Sequence, residues 1–249
     1  MALLAEKRTE VTTFPVIEVF GPTIQGEGAE AGFPCHFVRF GGCDYRCSWC
    51  DTMYAVDPDE VRRNSSRLTT AEITERIERL DGAPTWVVLS GGNPALHELT
   101  SLVDALQALG HKVAVETQGS VWRDWLGTVD RLTISPKPPS SGMDSEAHRE
   151  QFQRFMAKAV ERGADGAILK IVCFDEVDVR WASDLSASWP AFDLYLSAGT
   201  PVPAPADLRQ AVTDRFRWLC ERTAGDERLA NARVLPQLHV LAWGDARGV

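Results

Sequence analysis

Cys43, Cys47 and Cys50 stand close together in segment 39–52, which reads Arg-Phe-Gly-Gly-Cys-Asp-Tyr-Arg-Cys-Ser-Trp-Cys-Asp-Thr. At spacings of four and three residues, one compact loop can aim three sulfurs at a common metal or cluster. Cubane iron-sulfur clusters are ordinarily held by four cysteines, so three thiolates leave one iron with a position for another molecule. Catalytic metal sites keep such an open position, whereas structural zinc sites close it. The neighbours Gly41, Gly42, Asp44, Arg46, Ser48 and Asp51 make this a polar loop rather than a piece of core. A zinc knuckle completed by Cys35 or His36 is the alternative, although zinc ligands more often come as two separated Cys-x2-Cys pairs.

The elements that must present this loop alternate regularly. Residues 16–20 and 35–40 read as strands, the second with His36 and Val38 on one face and Phe37 and Arg39 on the other. Between them Gly26 and Gly28 flank Glu27, either to bring the backbone close to a ligand or as a plain glycine-rich turn. Residues 53–68 read as an exposed connection, and Thr69-Thr70-Ala71-Glu72 as a capping box that opens a helix to about residue 80. Strands at 86–89, 112–115, 131–134, 167–172 and 192–196 then alternate with helices near 97–109, 146–162, 176–186 and 206–221. A short helical piece falls at 122–126, and a last strand at 234–241 carries Gln237 and His239.

Strands separated by helices of this length imply a parallel sheet or barrel. Most of these strands end in small or polar residues: Ser90-Gly91-Gly92, Glu116-Thr117-Gln118-Gly119-Ser120, Ser135-Pro136-Lys137 and Ser197-Ala198-Gly199-Thr200. In β/α barrels the ligand site is built at the C-terminal ends of the strands, so the polar groups converge on one rim. Pro138-Pro139-Ser140-Ser141-Gly142 reads as a mobile loop over that rim.

Composition bounds the rest. A chain of 249 residues reads as one domain spanning 1–249, with 1–12 as a flexible N-terminus. Its net charge of −9 repels phosphate backbones and argues against a nucleic-acid partner. Six cysteines, three of them in one loop, suit a reducing compartment rather than a disulfide scaffold. No segment approaches the ~18 apolar residues of a membrane span or the apolar run of a signal peptide, so the expectation is a cytoplasmic protein with no membrane partner.

The Cys-x3-Cys-x2-Cys loop, with Trp49 before the last cysteine, resembles that of the radical S-adenosylmethionine (SAM) superfamily. The resemblance implies a partial, open or modified radical-SAM β/α barrel: an α/β fold with a mostly parallel sheet. It also implies a 4Fe-4S cluster on Cys43, Cys47 and Cys50, whose unique iron binds SAM and cleaves it to a 5′-deoxyadenosyl radical. Within the superfamily, several motifs are similar to those of the 7-carboxy-7-deazaguanine synthase family. They are Gln25-Gly26-Glu27-Gly28, Arg39, Cys50-Asp51-Thr52, Glu116-Thr117-Gln118-Gly119, Ser135-Pro136-Lys137 and Gln237-Leu238-His239.

That resemblance implies an enzyme, a lyase, acting on the pterin 6-carboxy-5,6,7,8-tetrahydropterin in queuosine-type 7-deazapurine biosynthesis. Trp49, Ser90, Gly91, Gly92, Glu116, Ser135 and Lys137 would lie along SAM, with Gln237 as a further candidate there or at the substrate. Gln25, Glu27, Arg39 and His239 would contact the pterin, and Thr52 would bind Mg2+. Asn93 stands where many superfamily members carry Glu, so an amide hydrogen bond would replace an ionic contact to the SAM amino group. A flavodoxin or ferredoxin as electron donor and a homodimer are implied in the same way. Two other readings share the cysteine loop: a radical SAM activase of a glycyl-radical partner protein, and a non-catalytic iron-sulfur or zinc regulator.

Overall fold

The computed structural model describes residues 12–248 other than 84, 202 and 245. The expected flexible N-terminus therefore lies outside the described residues but for Thr12. Strands are β1 (Phe14–Ile24), β2 (Pro34–Phe40), β3 (Ser66–Leu68), β4 (Trp86–Gly91), β5 (Lys112–Thr117), β6 (Arg131–Ile134), β7 (Ala167–Cys173), β8 (Asp193–Ala198) and β9 (Arg233–Leu235). Helices are α1 (Pro58–Asn64), α2 (Thr70–Glu78), α3 (Thr100–Ala108), α4 (Glu146–Arg162), α5 (Glu176–Ser188), α6 (Leu208–Ala224) and α7 (Leu238–Trp243).

The strands form one nine-stranded sheet in the order β3-β1-β2-β4-β5-β6-β7-β8-β9. From β2 to β9 every pairing is parallel, while β1 and β3 add an antiparallel edge. The order never returns to its start, so the barrel is open, as the family resemblance implied.

Alternation along the strands sorts the two faces. Val87, Leu89, Val113, Val115, Leu132, Ile134, Leu169 and Ile171 share one continuous core with Ile73, Leu102, Leu106, Phe155, Met156 and Ala182 of the helices. The opposite face turns polar toward the strand ends: Arg39 lies beside Ser90 in register, and Glu116 beside Thr133. Because side chains alternate at a period of two, Lys170 falls on that polar face while Leu169 and Ile171 enter the core. No helix among the described residues is long and apolar enough to cross a membrane.

Two segments differ from the sequence reading. Residues 53–68 hold a 3-10 turn, α1 and β3 rather than a bare connection. Helix α1 starts because the Asp57 side chain accepts from the backbone N–H groups of Asp59 and Glu60 with Pro58 in its first turn. The expected strand at 234–241 stops at Leu235 before Pro236, whose ring removes a ladder donor, and Leu238–Trp243 turns as α7.

Candidate active site

A cavity of about 460 Å3 opens at the C-terminal ends of the parallel strands, within the size range of small-molecule sites. Of the sixteen residues expected in the site, all but Ser135 line it. Ser135 is buried behind the rim, where its Oγ accepts from Lys137 Nζ at 3.0 Å and so braces a lysine that does line the cavity.

The cysteine loop forms one wall. It is fastened to the sheet by backbone bonds: Gly92 N–H donates to Phe40 O (3.0 Å), Asn93 N–H to Gly42 O (2.7 Å) and Gly42 N–H to Ala55 O (2.8 Å). A Cβ on Gly91 would sit 2.1 Å from the Phe40 carbonyl oxygen, and one on Gly92 2.0 Å from that of Gly42. The glycine pair is thus required by the backbone that enters the cysteine loop, quite apart from any ligand.

Asn93 is fully buried and its amide is spent inside the protein. Its Oδ1 accepts from Thr117 Oγ1 (2.9 Å) and the Ala95 N–H (3.2 Å), and its Nδ2 donates to Asp44 Oδ1 (3.0 Å) and Ser120 Oγ (3.1 Å). With two donors and two acceptor positions filled, Asn93 ties β4, the end of β5 and the cysteine loop together. This corrects the expectation that its amide faces the SAM amino group.

The three thiols are partly buried, and that burial pushes each of them up, Cys50 to about 11. Unbonded thiolates are disfavoured there, and a positively charged iron centre is what such a wall accommodates. Tyr45 N–H and Gln118 Nε2 both donate to Cys43 Sγ, at 3.4 and 3.8 Å. Among the described residues no three His, Cys, Asp or Glu side chains are gathered for a single ion. Three thiols on one loop are the donor set that a cubane with one open iron takes. Cys35 is buried against Val88 and Ala114 and is not a fourth ligand.

Trp49 stacks on Phe174 with ring centroids 4.9 Å apart, and its Nε1 donates to Ser140 Oγ at 3.0 Å. Segment 138–142, expected as a mobile loop, is a braced 3-10 turn. Ser140 donates through its N–H (3.1 Å) and its Oγ (2.6 Å) to the carboxylate of fully buried Asp178. Ser141 O accepts from the Ser48 N–H at 2.9 Å, so the turn and the cysteine loop support each other.

The facing wall centres on Lys170, which the sequence reading passed over as one residue of a strand. Its Nζ donates to Glu27 Oε2 and, at 2.6 Å, to Glu116 Oε1, with its side chain 2% exposed. Glu27 Oε1 accepts from Gln237 Nε2 at 2.6 Å, and Gln237 Oε1 accepts from Thr200 Oγ1. Burial alone would raise the Glu27 carboxyl, but the Lys170 ammonium, nearby His239 and these hydrogen bonds hold it at about 2. The same two carboxylates push Lys170 up against its own desolvation.

The 25–28 loop and α7 meet directly. Leu238 N–H donates to Gly26 O at 3.1 Å, and a Cβ on Gly26 would lie 2.2 Å from His239 Nδ1. Gln25 turns its Oε1 toward the Glu27 N–H at 3.3 Å. Arg39 donates through Nε to Glu18 Oε1 at 2.5 Å, and Tyr54 OH donates to the same oxygen at 3.3 Å. Thr52 Oγ1 donates to Asp51 Oδ1 at 2.5 Å, an oxygen pair of the kind that hard cations take.

An open, mostly parallel β/α sheet that carries three cysteines on the loop after one rim strand defines a radical SAM architecture. The family model for the Radical SAM superfamily matches residues 37–178. The 7-carboxy-7-deazaguanine synthase of Bacillus cereus is 38% identical over 96% of this chain and 100% of its own length. That of Bacillus subtilis is 38% identical over 94% and 98%, and that of Halobacterium salinarum 31% over 93% and 91%. A crystal structure of QueE from Escherichia coli, 23% identical, shares the fold with a TM-score of 0.67 over 91% of this chain and 95% of that one. The chain belongs to the radical SAM superfamily and, within it, to the 7-carboxy-7-deazaguanine synthase family.

Proposed function

We propose that this chain converts 6-carboxy-5,6,7,8-tetrahydropterin into 7-carboxy-7-deazaguanine with loss of ammonia. The observation that carries this reading is a single cavity joining the three-cysteine loop to a wall of hydrogen-bonding groups suited to a carboxylated pterin. When bound, the 4Fe-4S cluster and SAM supply a carbon-centred radical able to take hydrogen from C6 of the pterin.

What the protein adds is position. The aminopyrimidine edge of a pterin is rich in donors, and an ionised Glu27 has acceptor positions left after Lys170 and Gln237 are served. Arg39 offers the substrate carboxylate paired donors, since Glu18 engages only its Nε among the described contacts. Gln25 and His239 close the same end. Glu116, Ser90, Gly91, Gly92, Trp49 and Lys137 run from this wall toward the cysteines, the path SAM would take. Gln237, bonded to Glu27, belongs with the pterin end.

Thr52 and Asp51 would hold Mg2+ against a substrate oxygen, a reading supported by their oxygen pair and by the family resemblance. The same resemblance supports a flavodoxin or ferredoxin as electron donor and a homodimer. One continuous sheet through the described residues supports the single-domain reading of 1–249, and a cytoplasmic location rests on the reducing compartment that the cysteine content suits.

The test is anaerobic reconstitution, chemical reduction and incubation with SAM and the tetrahydropterin. Deazaguanine product with SAM regenerated is expected. Material with a full cluster that cleaves SAM yet leaves the pterin unchanged would overturn the reading.

A further inference from the structure

Lys170 is a buried cation at the centre of the cavity wall, bonded to one carboxylate expected to face the pterin and to another expected to face SAM. We propose that Lys170 is a positioning residue, holding Glu27 and Glu116 in one fixed arrangement so that Glu27 presents its acceptor oxygens to the pterin. This rests on the reading of the cavity as a pterin site.

The geometry places this ion-paired group at the ligand site. All three charged ends line the cavity, and the pair Glu27 and Glu116 outnumbers the lysine, leaving one negative charge in excess. Without the ammonium, Glu116 repels Glu27, and a neighbouring like charge together with burial pushes the Glu27 carboxyl toward the neutral form. A protonated Glu27 would offer a donor where the pterin also offers donors.

His239 also favours the ionised form of Glu27, but Lys170 is the cation bonded to both carboxylates. His239 approaches Glu27 from α7 and Gln237 from the turn before it, while Thr133 of β6 is uncharged. Arg131 on the same strand is engaged with Glu30, and Glu30 adds a further negative charge toward Glu116. On β4, β5 and β7 the one further charged side chain is Lys112, which starts β5 and lies over the Trp86 ring.

The experiment measures binding of 6-carboxy-5,6,7,8-tetrahydropterin by calorimetry to the cluster-loaded protein with SAM and no reductant, so that nothing turns over. The parent protein sets the reference profile between about pH 9 and about pH 6, a range over which its Glu27 stays ionised. Relative to that profile, Lys170→Met should lose about a further tenfold in affinity as pH falls across the range. Lys170→Arg, which keeps the charge, should restore the shape of the parent profile while its longer side chain lowers affinity throughout.

Should Lys170→Met not fold, the double variant K170M/E116Q removes the like-charge repulsion and leaves a lone buried Glu27, with the same pH-linked loss expected. A profile parallel to the parent's in a folded charge-removing variant overturns the proposal. Parent protein that binds no pterin at any pH instead overturns the pterin reading on which it stands.

Discussion

The two walls of the cavity are built on opposite principles. The cysteine wall holds three partly buried thiols that receive few hydrogen bonds and that burial makes reluctant to ionise. The Glu27 wall is already organised: Thr200 bonds Gln237, and Gln237 and Lys170 each bond one oxygen of the Glu27 carboxylate, which keeps acceptor positions for a ligand. One wall gains most of its stabilisation from what binds it, and the other is organised before anything arrives. Pre-formed polar sites cost less to order at the moment of binding.

The largest break in that comparison is on the cysteine side. Cys50→Ala should reduce activity to background and bring iron content well below about four per chain, while the far-ultraviolet circular dichroism stays native. Iron and sulfide analysis with a visible spectrum checks it.

On the facing wall, Glu27→Gln should weaken pterin binding and lower stability at neutral pH by about 3 kcal/mol, the lower end for opening a buried pair, since Glu116 still serves Lys170. Its pH signature is specific. Because the Glu27 carboxyl lies at about 2 against an ordinary 4.5, its contribution is complete above about pH 4.5 and is lost as pH falls toward 2. Denaturant melts across that window should show a steeper acid loss in the parent than in the variant.

Gly92→Ala forces a Cβ into the Gly42 carbonyl and should cost about 1–3 kcal/mol while lowering the yield of reconstituted cluster. The smallest effect sharpens the contrast. Trp49→Phe keeps the stack on Phe174 but removes the bond to Ser140, for about 1 kcal/mol or less in a thermal melt.

What could be read from sequence follows the same division. The cysteine loop was legible because its meaning is local: three sulfurs within eight residues. The parallel strands with polar ends were legible because period and strand-end chemistry are local too. Lys170 was not, since it lies in an apolar strand and acquires its role from a carboxylate 143 residues away. The mobile-loop reading of 138–142 failed for the same reason, because buried Asp178 braces it from a later helix. For α1 the signal was present in Asp57-Pro58 and was outweighed by polar composition. The last strand was misplaced because Gln237 and His239 belong to a turn and a helix fixed by contact with Gly26.

That last contact sets an order of events in the cell. During synthesis the sulfur-bearing loop leaves the ribosome long before α7. The two ends of the chamber are therefore made at different times, and the Glu27 end is complete only once α7 has folded back against Gly26 and brought in Gln237 and His239.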